Sequence, residues 1–264
     1  MADALGADHK DRVVTASMAD DFAKIVRAGD EPLADSSLIP FYYLARMARE
    51  DVTVALGGDG GDELFAGYET YHADALHARM QMVPRPLVRM VRGVYEAVVP
   101  ASRGKVSTDY KIRQFLAGHD LSADRAHYFW REVSRSRDRE SLLDPSFVSD
   151  ASESVDPFAA FQHHLDAVSD LSALDRSLYV DLKTWLVDDI LVTVDRATMA
   201  HSLEARAPLL DYRIVEFAAS LPDALKIDGA RKKIVLKNSQ RRRLPQEELR
   251  RRQRGYSAPV AHWT

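Results

Sequence analysis

The chain has 264 residues, of which 46% are hydrophobic, and a formal net charge of −4. This length and composition allow a substantial core in one large domain or two small ones. The weakly acidic balance gives no global reason to expect nucleic acid or an acidic membrane as a partner. Cysteine is absent, which excludes disulfides and cysteine-based metal sites and fits a reducing compartment.

Neither end of the sequence suggests a targeting or anchoring segment. Residues 1–12 are polar and charged, unlike a secretory signal. No apolar run reaches the roughly 20 residues that a membrane-spanning helix needs. These features predict a cytoplasmic protein.

The N-terminal third predicts a β–α–β arrangement. Residues 12–16 (RVVTA) are rich in β-branched side chains, and residues 52–56 (VTVAL) form a continuous apolar run that ends in glycines. A continuous apolar run predicts a strand buried on both faces, as in a parallel sheet. Segments 20–27 and 39–49 have helical spacing between the two strands. Phe22, Ile25 and Val26 share one apolar face of the first of these helices.

Helical spacing accounts for all of the sequence after Gly67. Prolines lie near the ends of these segments, as expected at helix boundaries. The predicted helices cover 71–82, 86–99, 107–116, 123–133, 155–167, 171–200 and 212–221. In the 171–200 helix, the residues predicted to lie in the core are Leu174, Leu178, Leu182, Leu186, Ile190, Leu191, Val194 and Met199.

Two strands make an incomplete sheet, because both edges stay open and little apolar surface is buried. We therefore expect the remaining strands to belong to sequence outside these 264 residues. The predicted fold class is α/β, with a partial parallel sheet and a larger helical part, so that the chain is mostly α by content.

The strongest chemical signal is the run LGGDGGDELFAGY at residues 56–68, where a strand is followed by four glycines and then a helical turn. Glycines let backbone N–H groups approach an anion closely. Asp59, Asp62 and Glu63 would repel a phosphate unless a divalent cation bridges them to it or one of them acts as a base. The simpler interpretation is a glycine turn with acidic residues at a helix start, each stabilising by roughly 0.3–1 kcal/mol.

Four sequence blocks together resemble the asparagine synthase family. GGDGGDELFAGY is similar to the family signature S-G-(E/D)-G-x-D-E-(L/V)-F-x-G-Y. DEPLADSS at 30–37, VDRATMAHSLEARAPLLD at 194–211 and Gly255-Tyr256 follow the family's order and separations. The resemblance covers most of the chain. It identifies the chain as the C-terminal synthetase part of such an enzyme, whose sheet is of the adenine nucleotide α-hydrolase (PP-loop ATPase) type.

The resemblance implies ATP and Mg²⁺ as cofactors, and aspartate and glutamine-derived ammonia as substrates. ATP adenylylates the aspartate side chain, pyrophosphate leaves, and ammonia then displaces AMP. Asp59 matches the family's base toward ammonia, and Asp62 and Glu63 match positions that handle magnesium and pyrophosphate. Lys233 matches the lysine that stabilises charge on the phosphates, although Lys232 could take that role. The glycines assigned to the nucleotide-binding turn are Gly57, Gly58 and Gly60.

Charged residues in the downstream block have two interpretations. Asp195, Arg196, Glu204 and Arg206 either form a structural ion-pair network that closes a helix against the core or contact the substrate directly. Asp211 is predicted to cap the helix that follows it rather than to bind substrate.

Several positions depart from the family pattern and indicate a divergent member. Gly57 replaces the family's serine, which removes a hydroxyl donor from the nucleotide side. Ile234 replaces an aromatic residue. Gln253-Arg254 stands where Lys-Gln or Lys-Met is usual, and Tyr256 replaces phenylalanine.

Two family features are missing from these residues. The ATP loop S-G-G-x-D-S does not occur, and the glutaminase domain, whose nucleophile is a cysteine, is not represented. We therefore expect residues 1–264 to form one incomplete asparagine synthase domain. Such a chain would be inactive alone, and it is either a truncated relic or half of a split enzyme whose separate chain carries the glutaminase domain and the loop.

Three alternatives remain open at this stage. The chain could serve an amidotransferase that acts on another carboxylate in polysaccharide biosynthesis, as exopolysaccharide-associated relatives do, or in β-lactam formation. It could be a degenerate, non-catalytic binding subunit. A basic cluster could bind nucleic acid, but its glutamates and its lack of aromatics favour a solvated helix face. That cluster comprises Arg241, Arg242, Arg243, Arg250, Arg251, Arg252 and Arg254.

Overall fold

The computed structural model describes residues 1–15, 20–100, 107–133, 141–142, 144, 146, 156–251 and 255. The chain divides into two compact units. The first unit combines Met1–Tyr68 with Asp181–Thr264, and the second is the continuous stretch Glu69–Val180. Helices predominate in the described ranges, and none of those helices is long and apolar enough to cross a membrane.

The first unit begins with three helices and a short strand that leads into the glycine turn. Its elements are α1 (Ala2–Leu5), α2 (Phe22–Gly29), α3 (Leu38–Arg49), β1 (Val54–Leu56) and α4 (Gly61–Leu64). The chain returns to this unit through a π-helix (Trp185–Ile190), the helix Leu191–Met199, β2 (Glu204–Arg206) and a 3₁₀ turn (Pro208–Leu210). It then forms the helices Tyr212–Ser220 and Asp223–Lys226, β3 (Ile227–Asp228), β4 (Arg231–Lys232), and the helices Ile234–Ser239 and Gln246–Arg250.

The parallel sheet is confirmed, but its second strand was predicted in the wrong place. β1 pairs in parallel with β2 in the register Val54↔Glu204, Ala55↔Ala205 and Leu56↔Arg206. Residues 12–15 are not a strand, and Ala16 lies outside the described ranges. The prediction that β1 is buried on both faces was also wrong. Val54 is 47% and Leu56 is 76% exposed, because no described layer covers their side chains.

The prediction that everything after Gly67 is helical missed three strands. β2 reads Glu-Ala-Arg, and the antiparallel pair β3–β4 reads Ile-Asp and Arg-Lys. These strands have two or three residues and carry charged side chains, so neither length nor apolar alternation marks them. Their pairing comes from tertiary contacts.

Two apolar clusters hold the first unit together. One joins α2, α3 and the 191–199 helix through Ile25, Leu38, Ile39, Tyr43 and Ala197. The predicted apolar face of α2 is therefore only partly buried: Ile25 is in this core, whereas Phe22 and Val26 are exposed.

The second cluster packs the end of the glycine turn against the helix Tyr212–Ser220. Its buried members are Leu64, Phe65 and Ala218. This packing fixes the short helix α4 and, with it, the residues on either side of that helix.

The predicted 171–200 helix is divided by the π-helical segment. The helix Ala173–Lys183 comes first, then Trp185–Ile190, then Leu191–Met199. A π-turn rotates the residues that follow it around the helix axis and often lies at functional sites. Leu178, Leu186 and Val194 are buried as predicted, but Met199 is 56% exposed, so its assignment to the core was wrong.

The described part of the second unit consists of helices and the turns that connect them. Its helices are α5 (Glu69–Met80), α6 (Arg85–Val98), α7 (Thr108–Gly118), α8 (Ala123–Arg131), Phe158–Asp166 and most of Ala173–Lys183. Helices α7 and α8 each begin after a serine whose side chain accepts a hydrogen bond from the backbone three residues on, namely Ser107 and Ser122.

A buried polar network lies among the helices of this unit. The Asp74 carboxylate accepts hydrogen bonds from His127 Nδ1 at 2.6 Å, Trp130 Nε1 at 2.8 Å and Ser177 Oγ at 3.2 Å. His77 is also buried, and Gln81 Nε2 lies 2.8 Å from its Nε2. Buried polar groups with satisfied hydrogen bonds specify one packing arrangement.

Burial of His77 predicts that this unit loses stability in mild acid. Burial lowers the pKa of His77, while a hydrogen bond to the Gly118 backbone opposes the shift. The unfolded chain therefore takes up the proton first. The neutral His77 side chain contributes fully to the free energy of unfolding above pH 6.5, and this contribution is lost as the pH falls through the folded-state pKa of His77.

We expect Tm of the wild type to fall by about 2–4 °C more than that of His77→Gln between pH 7.5 and pH 5. Differential scanning calorimetry at both pH values measures this difference. His9→Gln is the matched control, because His9 is exposed. Equal pH dependence in wild type and His77→Gln would contradict the assignment.

Candidate functional site

The glycine turn connects β1 to α4 at the end of the parallel strand pair. The Gly57 N–H continues the pairing by donating to Arg206 O at 2.7 Å. Gly60 has φ +83°, and a side chain there would collide with Leu210. This position therefore requires glycine for both conformation and space. Gly57 and Gly58 precede it in the same turn, as the sequence predicted.

Asp59 projects from this turn into a cavity of about 200 Å³. The cavity lies where the carboxyl ends of β1 and β2 meet, the usual position of ligands in open α/β sheets. Its lining residues are Asp59, Leu191, Val194, Asp195, Ala205, Arg206 and Ala207. Burial raises the pKa of Asp59, and a backbone hydrogen bond partly opposes that shift. A carboxylate with a raised pKa is a stronger base than an ordinary one.

Asp62 and Lys233 form an ion pair that does not line this cavity. Lys233 Nζ lies 3.0 Å from Asp62 Oδ1, and the two side chains are 15% and 19% exposed. Lys233 stands between β4 and the helix Ile234–Ser239, and its N–H donates to Phe65 O at 3.1 Å. Residues about 170 positions apart in sequence thus share one ion pair.

Glu63 and Asp62 are adjacent in sequence, but their side chains lie in different surroundings. Its side chain is 1% exposed, and Oε1 accepts a hydrogen bond from Tyr68 Oη at 2.6 Å. Nowhere in the described ranges do three or more His, Cys, Asp or Glu side chains form a group suited to a metal ion. Asp62 and Glu63 each have a protein partner in this structure, and their assignment to Mg²⁺ stays a prediction, because Mg²⁺ needs only one or two carboxylates together with substrate phosphates.

The downstream charged residues form two separate pairs rather than one network. Arg206 pairs with Glu204 on β2, and Arg196 Nη2 lies 3.6 Å from Asp30 Oδ2. Glu204 and Arg206 lie on a strand, although helical spacing was predicted for all of the sequence after Gly67. Asp195 forms no ion pair within the described part of the chain. Both Asp195 and Arg206 line the cavity beside Asp59.

Asp211 caps the helix Tyr212–Ser220, as predicted. Its carboxylate accepts a hydrogen bond from the Arg213 N–H at 3.0 Å and pairs with the Arg213 guanidinium at 2.8 Å. These contacts lower the pKa of Asp211 to about 2. Its hydrogen-bonding capacity serves the helix end, so the geometry favours a structural role.

The basic cluster near the C-terminus is only partly described. Arg241, Arg242 and Arg243 are exposed, and Arg251 Nη1 lies 3.5 Å from Glu248 Oε2. Arg252 and Arg254 lie outside the described residues, as do the departures at Gln253-Arg254 and Tyr256.

Several site residues were not singled out from the sequence. Leu191 and Val194 were predicted as core residues, yet they also line the cavity. The π-helical segment before them rotates the following helix about its axis, which changes the direction in which their side chains point. Tyr68 and Gly67 belong to the signature run, but nothing in their spacing showed that one contacts Glu63 and the other Lys233.

The strand pair, the glycine turn and the cavity define an α/β protein with a candidate ligand site at the carboxyl ends of parallel strands. The chain matches the family described as "Asparagine synthase" over residues 1–264, and it belongs to this family.

Curated relatives agree with this assignment. The chain is 31% identical over 263 residues to asparagine synthetase [glutamine-hydrolyzing] 1 of Bacillus subtilis (strain 168), covering 99% of the chain and 40% of the relative. It is 35% identical over 269 residues to a putative asparagine synthetase [glutamine-hydrolyzing] of Mycobacterium tuberculosis, covering 99% and 38%. It is 24% identical over 278 residues to amidase chry2 of Gibberella zeae, covering 99% and 40%.

The chain thus spans about two fifths of the length of the curated relatives that it matches. No solved structure matches it significantly.

Proposed function

We propose that this chain carries the acyl-activating and amide-forming centre of an ATP-dependent synthetase that converts aspartate to asparagine with glutamine-derived ammonia. The observation that carries the proposal is that one glycine turn presents two chemically distinct groups. Asp59 lines a cavity, and the Asp62–Lys233 ion pair lies outside the lining of that cavity. Family membership supplies the class of reaction.

The two groups suit the two half-reactions. In the first, a side-chain carboxylate oxygen of aspartate bonds to the α-phosphorus of ATP, the bond to the β-phosphate oxygen breaks, and pyrophosphate leaves. The Lys233 ammonium stabilises negative charge that develops on the departing phosphates. Lys233 is assigned in preference to Lys232 because its Nζ reaches Asp62 in the turn.

In the second half-reaction, ammonia nitrogen bonds to the acyl carbon and the bond to the AMP oxygen breaks. The nitrogen then carries an excess proton, which Asp59 accepts. Its raised pKa makes it a suitable base. Asp195 and Arg206, which carry opposite charges on the cavity lining, are assigned to acceptor binding.

The size of the cavity favours a small acceptor. Its volume of about 200 Å³ is below the range of roughly 300–1,000 Å³ that is usual for ligand pockets. A single amino acid is therefore a better candidate than the carboxylate of a sugar polymer. A panel of acceptors of increasing size, assayed for ATP–pyrophosphate exchange, tests this choice against the alternative amidotransferase.

ATP–pyrophosphate exchange with aspartate and magnesium chloride tests the central proposal. We expect no exchange by the 264-residue chain alone, because it lacks the family's S-G-G-x-D-S loop. We expect exchange when the part of the Bacillus subtilis relative that this chain does not match is added as a separate polypeptide. Absence of exchange from the folded mixture would contradict the proposal and favour a non-catalytic subunit.

A further inference from the structure

Helix α4 ends in a turn that contains Gly67. Glycine usually occupies the left-handed position of such a turn, but Gly67 is the residue after that position. The Gly67 N–H donates to Asp62 O at 2.8 Å, and Ala66 has φ +53°. This is a Schellman arrangement, in which glycine usually occupies the left-handed position and not the residue after it. Here Ala66 takes the left-handed conformation, and Gly67 has no positive φ. Backbone conformation therefore does not explain why residue 67 is glycine.

Space explains it. A Cβ at position 67 would collide with Asp62 Oδ1 and with Lys233 Cε. The aliphatic part of Lys233 crosses the backbone at Gly67 and then reaches Asp62, where Nζ lies 3.0 Å from Oδ1. A side chain at position 67 would occupy that path.

Lys233 is held at three points along its length. Its N–H donates to Phe65 O, its stem lies against Gly67, and its ammonium contacts Asp62. Its backbone has φ +53°, which is uncommon for a lysine. Such a conformation persists where the surroundings over-determine it, and functional sites are a common location.

We infer that Gly67 is a positioning residue, whose lack of a side chain lets Lys233 reach Asp62 and keeps the ammonium at the polyphosphate side of the turn. The identity of the ligand rests on the proposed function, whereas the steric relation among the three residues does not. The inference predicts that any side chain at position 67 displaces Asp62, Lys233 or both, and so breaks their ion pair.

A thermal mutant cycle tests the steric relation without any ligand. We expect Gly67→Ala in the 264-residue chain to lower Tm by about 3–6 °C, because the Asp62 and Lys233 side chains must move aside and lose their ion pair. In the Asp62→Ala/Lys233→Ala background, which removes both colliding side chains, the same change should lower Tm by less than about 2 °C. Ala66→Gly, the neighbouring control, should shift Tm by no more than about 3 °C.

The cycle decides the inference even if Gly67→Ala does not fold. A folded triple variant would then support the collision, and an unfolded one would overturn it. Equal losses of Tm from Gly67→Ala in the two backgrounds would also overturn it.

Inorganic pyrophosphate, with magnesium chloride in the buffer, supplies the functional readout. We expect it to raise Tm of the wild type and of Ala66→Gly but not of Gly67→Ala. Ile25→Val, a change in the other core cluster of the first unit, controls for a general loss of stability and should keep the shift. Protection of Gly67→Ala equal to that of the wild type would overturn the positioning role. A wild type without any shift would contradict the pyrophosphate part of the proposed function, and the thermal cycle would still decide the role of Gly67.

Discussion

Replacement of Asp59 by asparagine is expected to reduce amide formation by about 10²- to 10⁴-fold while ATP–pyrophosphate exchange stays within a few-fold of the wild type. The size of the loss is typical for removal of a general base. The two assays separate because the base acts only after pyrophosphate has left, and exchange reports only the adenylylation step. The measurement compares both assays in the chain supplied with the missing part of the relative.

The same substitution is expected to make the folded chain more stable. Burial raises the pKa of Asp59, so the folded state disfavours its ionised form. The carboxylate thus destabilises the fold at pH values above the folded-state pKa, and this penalty disappears when the group is protonated. Asparagine has nearly the same shape and no charge, so Asp59→Asn should raise Tm at neutral pH, as replacement of a destabilising active-site residue commonly does.

Two results would contradict the role of Asp59. A parallel loss of exchange and amide formation would mean that Asp59 acts before pyrophosphate release. A lower Tm at neutral pH would mean that its carboxylate makes favourable contacts in the fold. Amide formation in the wild type should also decline on the acidic side at a higher pH than an ordinary carboxyl group would dictate, because the base must be ionised.

Replacement of Lys233 by alanine is expected to reduce ATP–pyrophosphate exchange by about 10²- to 10³-fold. This is the usual loss when one preorganised donor to a developing negative charge is removed. Because adenylylation comes first, amide formation should fall in parallel, unlike the divergence expected for Asp59→Asn. Steady-state exchange with varied ATP and aspartate measures the effect.

Lys232→Ala is the matched control, since it removes the same charge one residue earlier. Lys232 belongs to β4, whereas the Lys233 ammonium reaches Asp62. Exchange should stay within a few-fold of the wild type in this variant. The opposite pattern, a silent Lys233→Ala with a severe Lys232→Ala, would transfer the role to Lys232.

The sequence located the glycine turn and most helices because their signals are local. The apolar run before Gly57 and the helical spacing around it predicted β1, α2 and α3 to within about two residues. The partner of β1 could not be found in this way. Glu204–Arg206 has no strand pattern of its own, and it becomes a strand because it lies beside β1.

For the candidate site, the sequence did not predict which side chains contact one another. The acidic residues Asp62 and Glu63 were assigned one shared task, yet one pairs with Lys233 and the other with Tyr68. Adjacent residues point in different directions from a short helix, so adjacency does not imply a shared ligand. The proximity of Lys233 to the turn depends on the packing of the 65–67 backbone, which no sequence spacing encodes.

The parallel pairing of β1 with β2 also sets an order of events during synthesis. About 150 residues separate Val54 from Glu204, and the whole second unit is encoded between them. At roughly 5–20 residues per second, β1 leaves the ribosome about 8–30 seconds before its partner strand exists. The second unit is complete in sequence during that interval, so it can fold before β1 meets β2, and the β1–β2 pair can form only after residue 206 emerges.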